Sequence, residues 1–271
     1  MKNLIKNIDD NFSLLTSTGS YYEQEITTKF EDAFIMECGP GKTGLTIIHG
    51  QRSMIYYENI AGEVIKCELG DMRFIMYSEL KKEIRQLFVQ FKRGNLNSKL
   101  EPYATVNDNQ FELYNKHPLV KKDLKGIYKN FFRHDPAAAS HSDHAGTMFA
   151  IEYKNGSHKS NIYMTNCKSI TRKRNKCTCT VLPTTTSSIP YEYCDTIASL
   201  KELLENMKDM KVGRKIGVDD LKWLLCKKDL PNDLEKLIRE KNTCIDNYSN
   251  ENSDINEFRS TLIMINVDKL D

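Results

Sequence analysis

The sequence lacks any run approaching the ~20 consecutive apolar residues that a membrane-crossing helix needs, which excludes a helical spanning protein. No secretory leader is expected either, because the opening MKNLIKNIDDNF is interrupted by Asp and Asn before an apolar stretch develops. The eight cysteines are therefore expected as thiols or metal ligands rather than disulfides. No G-x-S-x-G elbow and no H-E-x-x-H pair occurs, so the commonest serine-hydrolase and zinc-protease signatures are missing. What is present suits an ordinary folded protein. Its 271 residues, 39% apolar and 28% charged, suffice for one or two domains with a real core. The expected setting is soluble and intracellular, nuclear or cytoplasmic, without secretion.

A further absence is hidden by the net charge of +2. Nothing acidic lies between Glu152 and Glu192, a stretch that carries Lys154, Lys159, Lys168, Arg172, Lys173, Arg174 and Lys176. Residues 116–191 together hold a formal +9, against −3 before them and −4 after. Solubility alone is served by interspersed signs, so a basic block between acidic flanks points to an anionic partner.

Hydrophobic patterning predicts an α+β protein. AFIMEC, GLTIIHG, SMIYYEN, EVIKCELG and MRFIMY, within 33–77, read as short antiparallel strands divided by Gly-containing breaks. Over 78–94 the period changes: Leu80, Ile84, Leu87, Phe88 and Phe91 have helical spacing, with Ser78 as N-cap and Gly94 as stop. PYATV and QFELYN read as a hairpin across residues 107–109. A helix over about 119–133 follows, carrying Lys121, Lys122, Lys125, Lys129 and Arg133. MFAIEY, NIYMTN and TCTVLP read as strands, and the Thr/Ser run 184–188 as a linker. Beyond it, an apolar stripe from Ile197 to Met210 predicts a helix. Another is expected at about 218–228, and a third near Asn232, which has capping-box spacing to Glu235. TLIMINV reads as a returning strand. The expected organisation is an antiparallel β-rich body with inserted amphipathic helices over 1–190, containing the basic region 116–191. An acidic, mainly helical portion follows over 191–271.

Several constellations carry candidate chemistry. Gly39-Pro40-Gly41-Lys42-Thr43 has the end of a phosphate-binding loop, but the required first Gly is Met36 and a strand follows where a helix is needed, so a tight turn is expected. His134, His141 and His144, with Asp135 and Asp143, could hold a catalytic zinc ion or supply a general base; their loop has no helical His spacing. His49, Tyr56 or Tyr57, and Lys66 lie on neighbouring strands and could converge as acid–base groups. Cys167, Cys177 and Cys179 flank the basic RKRNK turn, and with Cys194 they form the candidate zinc ligands. Tyr153, Tyr163 and Tyr191 lie nearby as candidate base-stacking residues.

The run Ile162-Tyr163-Met164-Thr165-Asn166-Cys167, followed by Cys177-Thr178-Cys179-Thr180-Val181, resembles the FLYWCH-type zinc fingers. That resemblance implies zinc and DNA binding. The family's Trp is replaced by Met164 and its closing His pair is missing, so Cys194 or His158 would have to complete the site.

The leading expectation is a non-enzymatic nucleic-acid-binding protein. Its basic face comprises Lys121, Lys122, Lys125, Lys129, Lys159, Lys168, Arg172, Lys173, Arg174 and Lys176, which neutralise phosphates. The C-terminal helices are candidates for self-association or a protein partner. The alternatives are a phosphodiester- or nucleotide-processing enzyme using His residues on the same face, and a structural or host-directed interaction protein.

Overall fold

Two amphipathic helices open the chain: α1 (Leu4–Leu15) and α2 (Glu23–Ile35). A computed structural model describes residues 3–17, 21–38, 44–48, 54–96, 98, 100, 102–121, 124–125, 146–154, 160–167, 170–173, 176–181, 196–216, 230–241 and 261–270, with backbone alone for 170–173, 176–181 and 196. The Asn3 side chain caps α1 by accepting from the Lys6 N–H at 2.9 Å, and Ile5, Ile8 and Phe12 form its buried stripe. In α2 the buried positions are Ile26, Phe30, Ala33 and Phe34. This corrects the strand expected at AFIMEC: residues 33–35 are the last turn of a helix whose apolar period begins upstream, at Ile26.

The protein is α+β, as its patterning predicts. One sheet of 11 strands forms its centre. Its middle runs β1 (Leu45–Ile48), β14 (Thr261–Asn266), β4 (Met72–Ser78), β5 (Glu83–Leu96). β14 is antiparallel to β1 and parallel to β4. The far edge of β5 takes three partners in succession. β13 (Arg214–Lys215) pairs at Arg85 and Gln86, β8 (Thr147–Lys154) runs parallel from Phe88 to Arg93, and β6 (Pro102–Thr105) pairs at Gly94 to Leu96. β9 (Ser160–Thr165) and β12 (Thr196–Ile197) continue from β8. β11 (Lys176–Val181) and β10 (Ile170–Lys173) continue from β6. Residues beyond 191 thus feed the same sheet through β12, β13 and β14. A second sheet has three strands in the order β3 (Val64–Glu68), β2 (Met54–Glu58), β7 (Val120–Lys121).

The helix expected over 78–94 is instead β5. Both faces of this strand are covered, so its apolar residues do not alternate, and Ile84, Leu87, Phe88 and Phe91 fall at helical spacing without forming a helix. The Ser78 capping bond does form, from the Lys81 N–H to Oγ at 2.9 Å, but it closes a single turn. Lys82 then takes φ 51°, and the chain reverses into β5. The expected hairpin at 102–115 is corrected too. PYAT is a strand, while Asp108–Lys116 forms helix α3, with Asn107 Oδ1 accepting from the Asn109 N–H at 2.8 Å. Asn serves turns and N-caps by the same side-chain bond, so the two readings compete. The helix expected at 119–133 is contradicted at its start: Val120 and Lys121 form β7, where Val120 sits opposite Tyr57 in the core. The remainder of that span, apart from 124 and 125, lies outside the described residues.

One face of the large sheet packs against α1, α2 and α4 (Leu200–Lys208). Phe30 centres this layer, with ring centroids of Phe12, Phe34, Phe74 and Phe91 at 5.8, 5.3, 6.2 and 4.9 Å. Such contacts add about 0.5–1.5 kcal/mol each beyond area burial. On the opposite face α5 (Asn232–Lys241) covers Ile75, Tyr77 and Ile84, while α3 and the small sheet cover Phe88 and Phe149. Helix α5 includes Asn232 in its first turn, so that residue is not the cap. The helix expected at 218–228 lies outside the described residues.

Candidate nucleic-acid interface

The described parts of the segment with no acidic residue are largely sheet. β10 and β11 form an antiparallel pair, with Ile170 opposite Val181, Thr171 opposite Thr180, and Lys173 opposite Lys176. The register shifts between Thr171 and Lys173, an irregularity of the kind that twists a strand pair. On its other edge β11 joins β6, placing Cys179 opposite Ala104, and Ala104 sits opposite Gly94 of β5. Arg172, Lys173 and Lys176 therefore occupy the closed end of a two-stranded ribbon rooted in the central strand of the protein. β10 lies at the end of the described strand order, where lysines also discourage edge-to-edge aggregation. Lys159, Lys168 and Arg174 lie outside the described residues.

The other predicted basic residues divide. Lys122 and Lys129 lie outside the described residues, as does Arg133. Lys121 belongs to β7 of the small sheet, and its Nζ donates to the Leu124 carbonyl at 3.0 Å; Lys125 is exposed in the adjoining turn. Lys121 and the β10–β11 ribbon thus stand on different sheets.

Tyr56 and Lys66 do converge, as directly opposed positions of β2 and β3. The Lys66 ammonium lies 5.8 Å from the centroid of the Tyr56 ring. Tyr56 also sits opposite Lys121, a relationship that sequence reasoning missed because β7 has only two residues and no periodicity to read. Tyr57 goes the other way: it is fully buried, its hydroxyl donates to the Asn109 carbonyl at 2.9 Å, and burial pushes its pKa further up. It is not available for proton transfer. His49 and the residues His134, His141 and His144 lie outside the described residues.

Cys167 is 4% exposed within the apolar cluster around Phe88 and Tyr114, and its thiol contacts the Phe111 carbonyl at 3.7 Å. This is the environment of a core thiol. The backbone of Cys177 and Cys179 lies in β11; Cys194 and His158 lie outside the described residues. Among the described residues no three His, Cys, Asp or Glu side chains are grouped to hold a metal ion. Positions 39–43 also lie outside the described residues; the strand expected after them is β1. Tyr153 is half-buried at the end of β8 and Tyr163 is buried, so Tyr163 offers no stacking face; Tyr191 lies outside the described residues.

Two other polar features bear on a binding surface. An open groove of about 320 Å³ runs between the β2–β3 turn and α3, but its lining holds Asp108 and Glu112 against Lys116, a net negative charge that disfavours a polyanion. Beneath the small sheet, Asp71 accepts from Gln90 Nε2 at 2.5 Å and from the Phe91 N–H at 2.6 Å. Burial, then the neighbouring Glu68 carboxylate, push the Asp71 pKa up to about 7. No helix among the described residues is long and apolar enough to cross a membrane. No family model, curated protein or solved structure matches the chain at a significant level.

Proposed function

We propose that the protein binds nucleic acid, gripping the phosphate backbone with the tip of the β10–β11 ribbon. The observation that carries this reading is the register placing Lys173 opposite Lys176, with Arg172 adjacent, in a stretch free of acidic residues from 153 to 191. Cations gathered at one end of a ribbon, with no carboxylate in the same segment to neutralise them, favour an anionic polymer. Contacts of this type release counterions and tolerate sequence variation, so affinity falls steeply with added salt. The reading does not depend on zinc, since Cys167 sits in the apolar core.

Fluorescence anisotropy with a labelled oligonucleotide, at two salt concentrations, tests it. Replacing Arg172, Lys173 and Lys176 together by Glu should weaken binding at least about tenfold and flatten the log–log salt slope by roughly 2–3. The ligand should remain intact, and a chelator should leave affinity unchanged. A folded triple variant that keeps both affinity and slope overturns the proposal. Turnover of the oligonucleotide would favour the phosphodiester-processing alternative.

A further inference from the structure

We infer that the outer face of the small sheet is a stacking platform for single-stranded nucleic acid, with one base on Tyr56 and its flanking phosphates on Lys66 and Lys121. The inference rests on the nucleic-acid reading and adds the class of ligand.

Strand geometry puts the three side chains in one row. Along β2, Ile55 and Tyr57 are fully buried, so Tyr56 between them projects from the opposite face. Lys66 of β3 and Lys121 of β7 are its partners on either side, each one strand spacing of ~4.8 Å away. The row therefore reads cation, aromatic ring, cation across three strands. That order matches a nucleotide unit, whose base presents a π-face and whose sugar is flanked by phosphates.

The contact of Lys66 with the ring is a loose one. Lys66 rests near the Tyr56 ring at 5.8 Å, from where a stacked base would displace it toward phosphate. Lys121 donates to the Leu124 carbonyl at 3.0 Å. Met54 and Val64, 41% and 47% exposed, flank the row with apolar surface. Glu58 and Glu68 occupy the outer rows, opposite Val64 and Met54 respectively, which confines the favourable potential to the central one. A duplex has its base faces already stacked and cannot use the ring, so the platform selects single strands.

The test compares a short oligothymidylate with a duplex of equal length, on wild type, Tyr56→Ala, Tyr56→Phe and the double variant Lys66→Gln/Lys121→Gln. Wild type should prefer the single strand. Tyr56→Ala should lose roughly 5- to 150-fold of single-strand affinity, the range given by stacking of one base, and leave duplex affinity unchanged. Tyr56→Phe should restore it, because the ring and not the hydroxyl stacks. The double lysine variant should lower the single-strand salt slope by about 1.4. Fluorescence of Tyr56→Trp, in a Trp223→Phe background, should be quenched by the oligothymidylate. Equal single-strand affinity for wild type and a folded Tyr56→Ala overturns the platform; if the ribbon variant still loses binding in the same assay, the broader proposal stands. Conversely, loss in Tyr56→Ala with none in the ribbon variant overturns the ribbon and leaves the platform. A change in oligomeric state on Tyr56→Ala, without a change in nucleic-acid affinity, would mark the face as a protein interface and overturn the inference.

Discussion

The carboxylate of Asp268 accepts a hydrogen bond from the hydroxyl of Ser78 at 2.7 Å, across a separation of 190 residues in the chain. Its second oxygen accepts from the Glu79 N–H at 2.7 Å and the Leu80 N–H at 3.1 Å. One side chain thus satisfies the otherwise open donors of the turn between β4 and β5 and ties that turn to the segment after β14.

Replacing Asp268 by Ala removes three charge-assisted bonds at once. The expected cost is about 2–4 kcal/mol, since backbone donors in the turn regain water only in part. Urea denaturation should show a lower midpoint with an unchanged m-value. Ser78→Ala, which keeps both backbone bonds to Asp268, should cost less.

Asp71 predicts the pH dependence. Its folded pKa of about 7 lies above its ordinary 3.8, so folding takes up a proton between those values. The associated stability is fully present below about pH 4 and is lost as pH rises to about 7, a change on the order of 4 kcal/mol. Asp71→Asn should flatten this slope and be the more stable form at pH 8. Gln90 can accommodate it: its Oε1 has no partner among the described residues and could accept from the new amide after a half-turn of its own. A slope unchanged in the Asn variant would refute the assignment. Equilibrium unfolding across that pH range is the measurement.

Gly94 should not tolerate Ala. A Cβ there would meet the Ile151 side chain and lie 2.9 Å from both the Glu152 and Tyr103 carbonyl oxygens. The position is where β5 passes from β8 to β6, and backbones approach too closely for a side chain. A loss of about 1–3 kcal/mol is expected by calorimetry or chemical denaturation.

Cysteine chemistry should follow burial. The Cys67 thiol is pushed up to about 12, by burial and then by the Glu68 carboxylate, and Cys167 shares its apolar cluster. Neither should react with iodoacetamide in the native protein at pH 8, and both should react once urea unfolds it. Mass spectrometry of the alkylated protein resolves the two sites.

Much of the fold was legible where burial is one-sided or runs are short and bounded. β2, β3, β4, β8, β9 and β14 all coincide with apolar or β-branched runs ended by turn residues. Phe88 and Phe91 misled because a strand buried on both faces carries no alternation, and Gln86 and Gln90 are buried polar residues that imitate a helix's wet face. Helix α2 was hidden because only its last turn entered the run around Ala33. At the candidate interface, the basic composition could be read directly, and so could the proximity of Tyr56 to Lys66. The pairing of Lys121 with Tyr56 could not, because cross-strand register over a distance of 65 residues leaves no local trace.

The position of β14 sets the timing of synthesis. β1 and β4 are synthesised before the strand that lies between them, which follows Ser78 only at Thr261, roughly 10–40 s later at ordinary translation speeds. Throughout that interval Phe74, Met76, Leu45 and Ile47 belong to unfinished edges on the nascent polypeptide. A stop codon placed before position 261 should therefore yield aggregate rather than a smaller soluble product, which fractionation of the expressed fragment would check.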